Sequence, residues 1–210
     1  MKRILLTGFE PFAGASLNPS EQIVKALAAT GIVDASGQPQ VDLHTAILPV
    51  VFTESSELLK HLIKQHQPDI VISLGQAEGR REISFERVAI NLDDARLADN
   101  AGRTITDQPV VEGGHPAHFP TLPVKEMVAA VRAKGIAAGL STTAGTFVCN
   151  HIFYSLQHAL IGTGKLSGFI HVPLMPEQAS EFEGQPTMPL EQQVEAIATA
   201  MRVAAGIHEA

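Results

Sequence analysis

The sequence predicts an α/β fold: a three-layer α/β/α sandwich around a mainly parallel, twisted sheet. Two patterns predict it. Apolar runs of strand length alternate with segments of helical period along the chain, the order expected of a parallel sheet with helices on both faces. Residues 69–74 are an almost continuous apolar run ending at Gly75, as a strand covered on both sides requires. The 210 residues contain no repeat, no low-complexity stretch and no linker, so one domain over 1–210 is the economical division.

Each element has its own signal. Residues 3–7 form a first strand. Asn18-Pro19-Ser20-Glu21 then opens a helix, because Asn18 can cap, Pro19 suits the first helical position and Glu21 favours the positive end of the dipole. Residues 41–48 are a second strand. Residues 54–67 are amphipathic, with Leu58, Leu59, Leu62 and Ile63 on one helical face. Strand 69–74 follows. The pattern then loosens between Gly75 and Pro120, where only 83–92 suggests a strand. An insertion after a central strand is a common place for a site. Alternation resumes with a helix over 123–134 ended by Gly135, a short strand at 137–142 and a helix at 149–160. A strand at 168–172 and a helix at 189–207 complete the chain.

Composition excludes several functions. With 45% hydrophobic and 18% charged residues the chain can bury a sizeable core, which rules out a disordered protein. A net charge of -7 and a pI near 5.7 disfavour nucleic acid or an anionic membrane as main partner. No apolar run reaches the roughly 18 residues needed to span a bilayer. The basic start is followed by an apolar run that ends at Thr7-Gly8, with Glu10 after it, so it reads as a strand rather than a secretory segment. The single cysteine cannot form an internal disulfide, and the expected compartment is the cytoplasm.

That cysteine is either a small buried hydrophobe or a nucleophile. Cys149 follows the loop 143–148 and stands where a helix should begin. Unpaired N–H groups and the helix dipole there would lower its pKa, and the same N–H groups could hold an oxyanion. Gly145 would let the backbone approach a substrate, although a Cys at a helix start can equally pack on the sheet. A thiol nucleophile needs a base, and the chain has nine histidines. His61 and His66 lie near the polar face of a helix; His44 and His208 have no evident role. His115 and His118 have a metal-like spacing, but no acid or Cys cluster completes a ligand set. His151 and His158 share the Cys149 helix, with His151 turned about 200° from Cys149 around the axis. His171 ends a strand at the carboxyl edge of a parallel sheet, where α/β proteins place active residues; the alternative is a satisfied core histidine. Glu86, between Phe85 and Val88, is either paired with Arg87, Arg96 or Arg80 or functional, because isolated buried charge is costly. Gly8 and Gly14 do not form a dinucleotide-binding loop.

Six segments, in order, resemble the pyroglutamyl peptidase I (pyrrolidone-carboxylate peptidase) family essentially from end to end. They are Leu6-Thr7-Gly8-Phe9-Glu10-Pro11-Phe12, Asn18-Pro19-Ser20, Glu86-Arg87-Val88-Ala89-Ile90-Asn91 and Asp94-Ala95-Arg96. Ala144-Gly145-Thr146-Phe147-Val148-Cys149-Asn150-His151 follows, and then Gly168-Phe169-Ile170-His171-Val172-Pro173 with Pro176-Glu177-Gln178. The resemblance implies a cysteine peptidase acting on peptides with N-terminal pyroglutamate. Cys149 is then the nucleophile, His171 the base and later acid, and Glu86 the carboxylate that orients His171. Arg96 would support the oxyanion, or else form a structural ion pair. The resemblance further implies an α/β/α sandwich, no metal or cofactor, a cytosolic location and a homotetramer.

A pyroglutamyl residue is a neutral five-membered lactam, so its pocket should be small and apolar with a few polar contacts. Phe9, Phe12 and Phe147 are candidates for flanking the ring, with core packing as the alternative. Gln76 and Asn18 are candidates for polar contacts, though capping would also explain Asn18. The chain departs from the family pattern at Ala13, where Gly is common, at Phe85, where Pro is common, and at Leu97-Ala98 and Leu174. None of these is a triad position.

Overall fold

Asn18 begins the first helix as its sequence suggests: its side-chain oxygen accepts from the backbone N–H of Ser20, and Pro19 occupies the first turn. In the computed structural model, which describes residues 1–207, the chain order is β1 (Lys2–Phe9), α1 (Pro19–Thr30), β2 (Val41–Leu48), α2 (Phe52–His66) and β3 (Ile70–Gln76). The irregular stretch holds β4 (Ile83–Glu86), β5 (Ala89–Ile90) and β6 (Ala117–His118). Then come α3 (Val124–Ala133), β7 (Ala138–Ser141), α4 (Val148–Leu160), β8 (Leu166–Val172), a 3-10 turn at Pro176–Gln178 and α5 (Leu190–Ala204). His208 lies outside the described residues.

Six strands form one sheet in the order β2-β1-β3-β8-β4-β7. The pairs β1–β2, β1–β3, β3–β8 and β4–β7 are parallel, whereas β4 runs antiparallel to β8. The reason is the short connection from β3 to β4, residues 77–82. It carries no crossover helix, and a chain that turns back at one sheet edge without one can only descend antiparallel. Alternate residues face opposite layers. Ile4, Leu6, Ile72, Leu74, Ile170 and Val172 belong to the core under α1, α3 and α5. Leu5, Phe9, Val71 and Phe169 belong to the core under α2 and α4.

The expected single strand over 83–92 is two pieces. Arg87 N–H still bonds Ser141 O, but the chain then leaves the main sheet. Ile90 N–H is taken by the Asn150 side chain of α4 and Asn91 N–H by Pro116 O, so β5 pairs with β6 in a separate small sheet. Neither β6 nor the 3-10 turn was expected from periodicity; both are too short to carry one. Among the described residues, no helix is long and apolar enough to cross a membrane.

Candidate active site

His171 is the penultimate residue of β8, directly beside Gly75 of β3, at the carboxyl edge of the parallel strands. The antiparallel register pairs Ser84 with His171 and Phe85 with Ile170. Because alternate residues share a face, Glu86 emerges on the same side as His171 and diagonal to it. A slip of one residue would send Glu86 to the opposite layer. In this register the Glu86 Oε1 lies 2.8 Å from His171 Nδ1, with both residues buried. A carboxylate there makes Nδ1 the donor, which leaves Nε2 as the basic nitrogen.

The same Oε1 is 3.0 Å from Nη1 of Arg80. Of the three arginines that could pair with Glu86, it is therefore Arg80 that does. Its Nη2 also donates to Thr143 O at 2.8 Å.

Cys149 is the second residue of α4, which begins at Val148, one residue earlier than expected. Phe147 precedes the helix without a side-chain capping bond, so the first-turn N–H groups are left to other acceptors. Gly145, at φ +75, turns the preceding loop, and its N–H bonds Thr143 Oγ1. The expected lowering of the thiol pKa is not what the site produces. Burial pushes Cys149 up to about 12, the Glu86 charge adds to the rise, and Arg80 opposes it. Desolvation of the thiolate is the largest influence here, so ionisation calls for a proton acceptor within the site.

Cys149 and His171 line one cleft, together with Phe12, Gln76 and Arg80. Phe9, Phe12, Phe147, Asn18 and Gln76 line a small, mainly apolar cavity that also reaches Cys149. All five pocket candidates thus converge. Phe12 and Phe147 have ring centroids 6.1 Å apart. Gln76 Oε1 accepts from Gln178 Nε2 at 3.0 Å, and Gln76 Nε2 is a buried donor with no partner among the described residues. Asn18 is already committed, accepting from Ser20 N–H and Oγ and donating to Glu10 O.

Arg96 is not among the residues lining either cavity. It is exposed and makes no ion pair among the described residues. Its segment is nevertheless tied to the loop before Cys149, through Asp94 N–H to Thr146 O and Thr146 Oγ1 to Asp94 O. His151 points away from Cys149, as its angle demanded, and its Nδ1 lies 2.7 Å from the buried Asp93. Among the described residues no three His, Cys, Asp or Glu side chains are grouped to hold a metal ion.

Sequence reasoning missed three contributors. Gly75 reads only as a strand end, Arg80 only as one of three possible partners of Glu86, and Gln178 only as part of a matching segment.

Comparison with known proteins adds to this geometry. The sequence model of a family described as pyroglutamyl peptidase matches residues 2–207. The chain is similar to a pyrrolidone-carboxylate peptidase of Vibrio vulnificus (strain CMCP6), at 49% identity over 91% of this chain and 87% of the relative. A pyrrolidone-carboxylate peptidase of Klebsiella pneumoniae (strain 342) is also 49% identical, over 97% and 93%. The crystal structure of a Bacillus amyloliquefaciens pyroglutamyl peptidase I superimposes with a TM-score of 0.90 at 39% identity, covering 98% of each chain.

Proposed function

The chain belongs to the pyroglutamyl peptidase family, and from that premise we propose the part each residue plays. The activity is hydrolysis of the bond after an N-terminal pyroglutamyl residue by a cysteine peptidase. The roles we propose are Cys149 as nucleophile, His171 as base and then acid, and Glu86 as the carboxylate that orients His171. One observation carries this reading: the His171 Nδ1–Glu86 Oε1 bond of 2.8 Å beside a cleft that His171 shares with Cys149.

With the thiol pushed up to about 12, thiolate forms by proton transfer to His171 Nε2. The sulfur attacks the pyroglutamyl carbonyl, and the electron pair of the C=O bond moves to oxygen. The uncapped N–H groups at the start of α4 receive that oxyanion; losing one such donor costs about 2.7–4 kcal/mol of barrier. Imidazolium His171 then protonates the leaving amine as the C–N bond breaks. Water, deprotonated by His171, cleaves the thioester and restores the thiol.

Phe9, Phe12 and Phe147 are proposed to enclose the lactam ring, with the free Gln76 Nε2 donating to its carbonyl. Asn18 shapes the same wall. Arg96 is proposed as transition-state support on the strength of its tether to the Thr146 loop. The proposal also includes one peptidase domain over 1–210, a cytoplasmic location and a homotetramer, which size-exclusion chromatography with light scattering would test.

The deciding experiment is release of a fluorogenic amine from its L-pyroglutamyl amide, beside the alanyl and prolyl amides, with and without iodoacetamide. Selective, alkylation-sensitive turnover that disappears in Cys149→Ala supports the roles. Near-normal turnover by folded Cys149→Ala overturns them.

A further inference from the structure

We propose that Arg80 is a positioning residue of this reaction, joining the triad carboxylate to the loop that leads into the nucleophile. The inference rests on the roles given above to Cys149, His171 and Glu86. Among the described residues, Arg80 is the only arginine that lines the cleft with Cys149 and His171. One guanidinium nitrogen sits 3.0 Å from Glu86 Oε1, the atom that also holds His171, and the other donates to Thr143 O at 2.8 Å. Thr143 in turn binds Gly145 N–H through its hydroxyl. Base and nucleophile stand on elements far apart in sequence, β8 and the start of α4, and this planar fork spans both sides.

The second consequence is electrostatic. Glu86 is buried, and its charge raises the Cys149 pKa, whereas Arg80 lowers it. Arg80 therefore offsets a carboxylate that would otherwise oppose thiolate formation, while leaving Glu86 close enough to hold His171 Nδ1. The other charged group at the cleft is Glu78, from the same loop as Arg80. The remaining titratable side chain in the first turn of α4, His151, is turned toward Asp93. Arg80 is thus the nearest compensating cation in the cleft.

The test is the rate of Cys149 alkylation by iodoacetamide at about pH 8 in wild type, Arg80→Met and Arg80→Lys, with circular dichroism to check folding. It needs no substrate, and Cys149 is the sole thiol. In Arg80→Met the rate should fall about tenfold, the effect of a one-unit rise in the thiol pKa on losing one nearby cation. In Arg80→Lys it should return toward the wild-type value. On a pyroglutamyl amide, kcat should fall in both variants with KM little changed, because an ammonium cannot bridge Glu86 and Thr143 as the guanidinium fork does. A wild-type alkylation rate in folded Arg80→Met, or a rate that Lys does not restore, overturns the inference. Failure of the wild-type enzyme to turn over any pyroglutamyl amide would count instead against the activity.

Discussion

A methyl group placed on Gly75 would lie 2.7 Å from Cys149 Sγ and 2.9 Å from Phe169 Cζ. Both contacts are closer than van der Waals separation allows, so the missing side chain of β3 is the space in which the thiol sits. Gly75→Ala should therefore displace the sulfur. A misplacement of about 1 Å can cost 10²-fold in rate, and a loss of that order in kcat/KM is expected. Kinetics alongside a thermal melt will check it: unchanged kcat/KM would mean the thiol does not need this space.

In the proposed mechanism Glu86 orients His171 rather than reacting. Glu86→Gln should lower kcat by at most about 10⁴-fold, the order seen when an orienting carboxylate becomes an amide. Cys149→Ala and Cys149→Ser should fall further, because they remove the thiol itself. Steady-state kinetics of the three variants would rank them, and a Glu86→Gln variant as inactive as Cys149→Ala would give Glu86 a larger part.

His118 should make stability depend on pH. Its ring lies 5.6 Å from that of His158, 5.8 Å from His115 and 4.6 Å from Tyr154. Burial, then the His158 and His115 charges, hold its pKa below 6.5. The unfolded chain therefore binds the proton first as pH falls, so stability is full above about pH 6.5 and declines below it. Urea midpoints between pH 5 and 8 should show that decline, and His118→Phe should flatten it. An equally steep profile in His118→Phe would assign the slope to other groups.

Ala13 holds a left-handed backbone conformation, φ +53, on the exposed first loop. A side chain there costs about 1–2 kcal/mol, partly offset by the greater unfolded-state freedom of glycine. Ala13→Gly should stabilise the protein by up to about 1 kcal/mol with kcat/KM unchanged. Thermal unfolding reads the gain directly, and a lower melting temperature would contradict it.

What was legible in the sequence follows from what is local. The Asn18 cap, the 41–48 strand and the α2 stripe of Leu58, Leu62 and Ile63 all rest on spacing within one element, and each stands where expected. Whether a strand runs parallel is not local, and β4 is antiparallel because of the connection before it. The partner of Glu86 was equally hidden. Arg80, Arg87 and Arg96 are alike on paper, and only the fold turns Arg80 into the cleft while leaving Arg96 on the surface.

The sequence by itself determined the α/β class, the order of most elements and, through its ordered motifs, the family and the reaction. Tertiary structure alone decided the register that puts Glu86 on the face of His171, the cavity that brings Phe147 to Phe9 and Phe12, and the burial that raises the Cys149 pKa. The physical reason is the range of each effect. Periodicity and capping act over a few neighbouring residues, whereas desolvation and side-chain geometry at this site join groups as distant in sequence as Glu86 and His171.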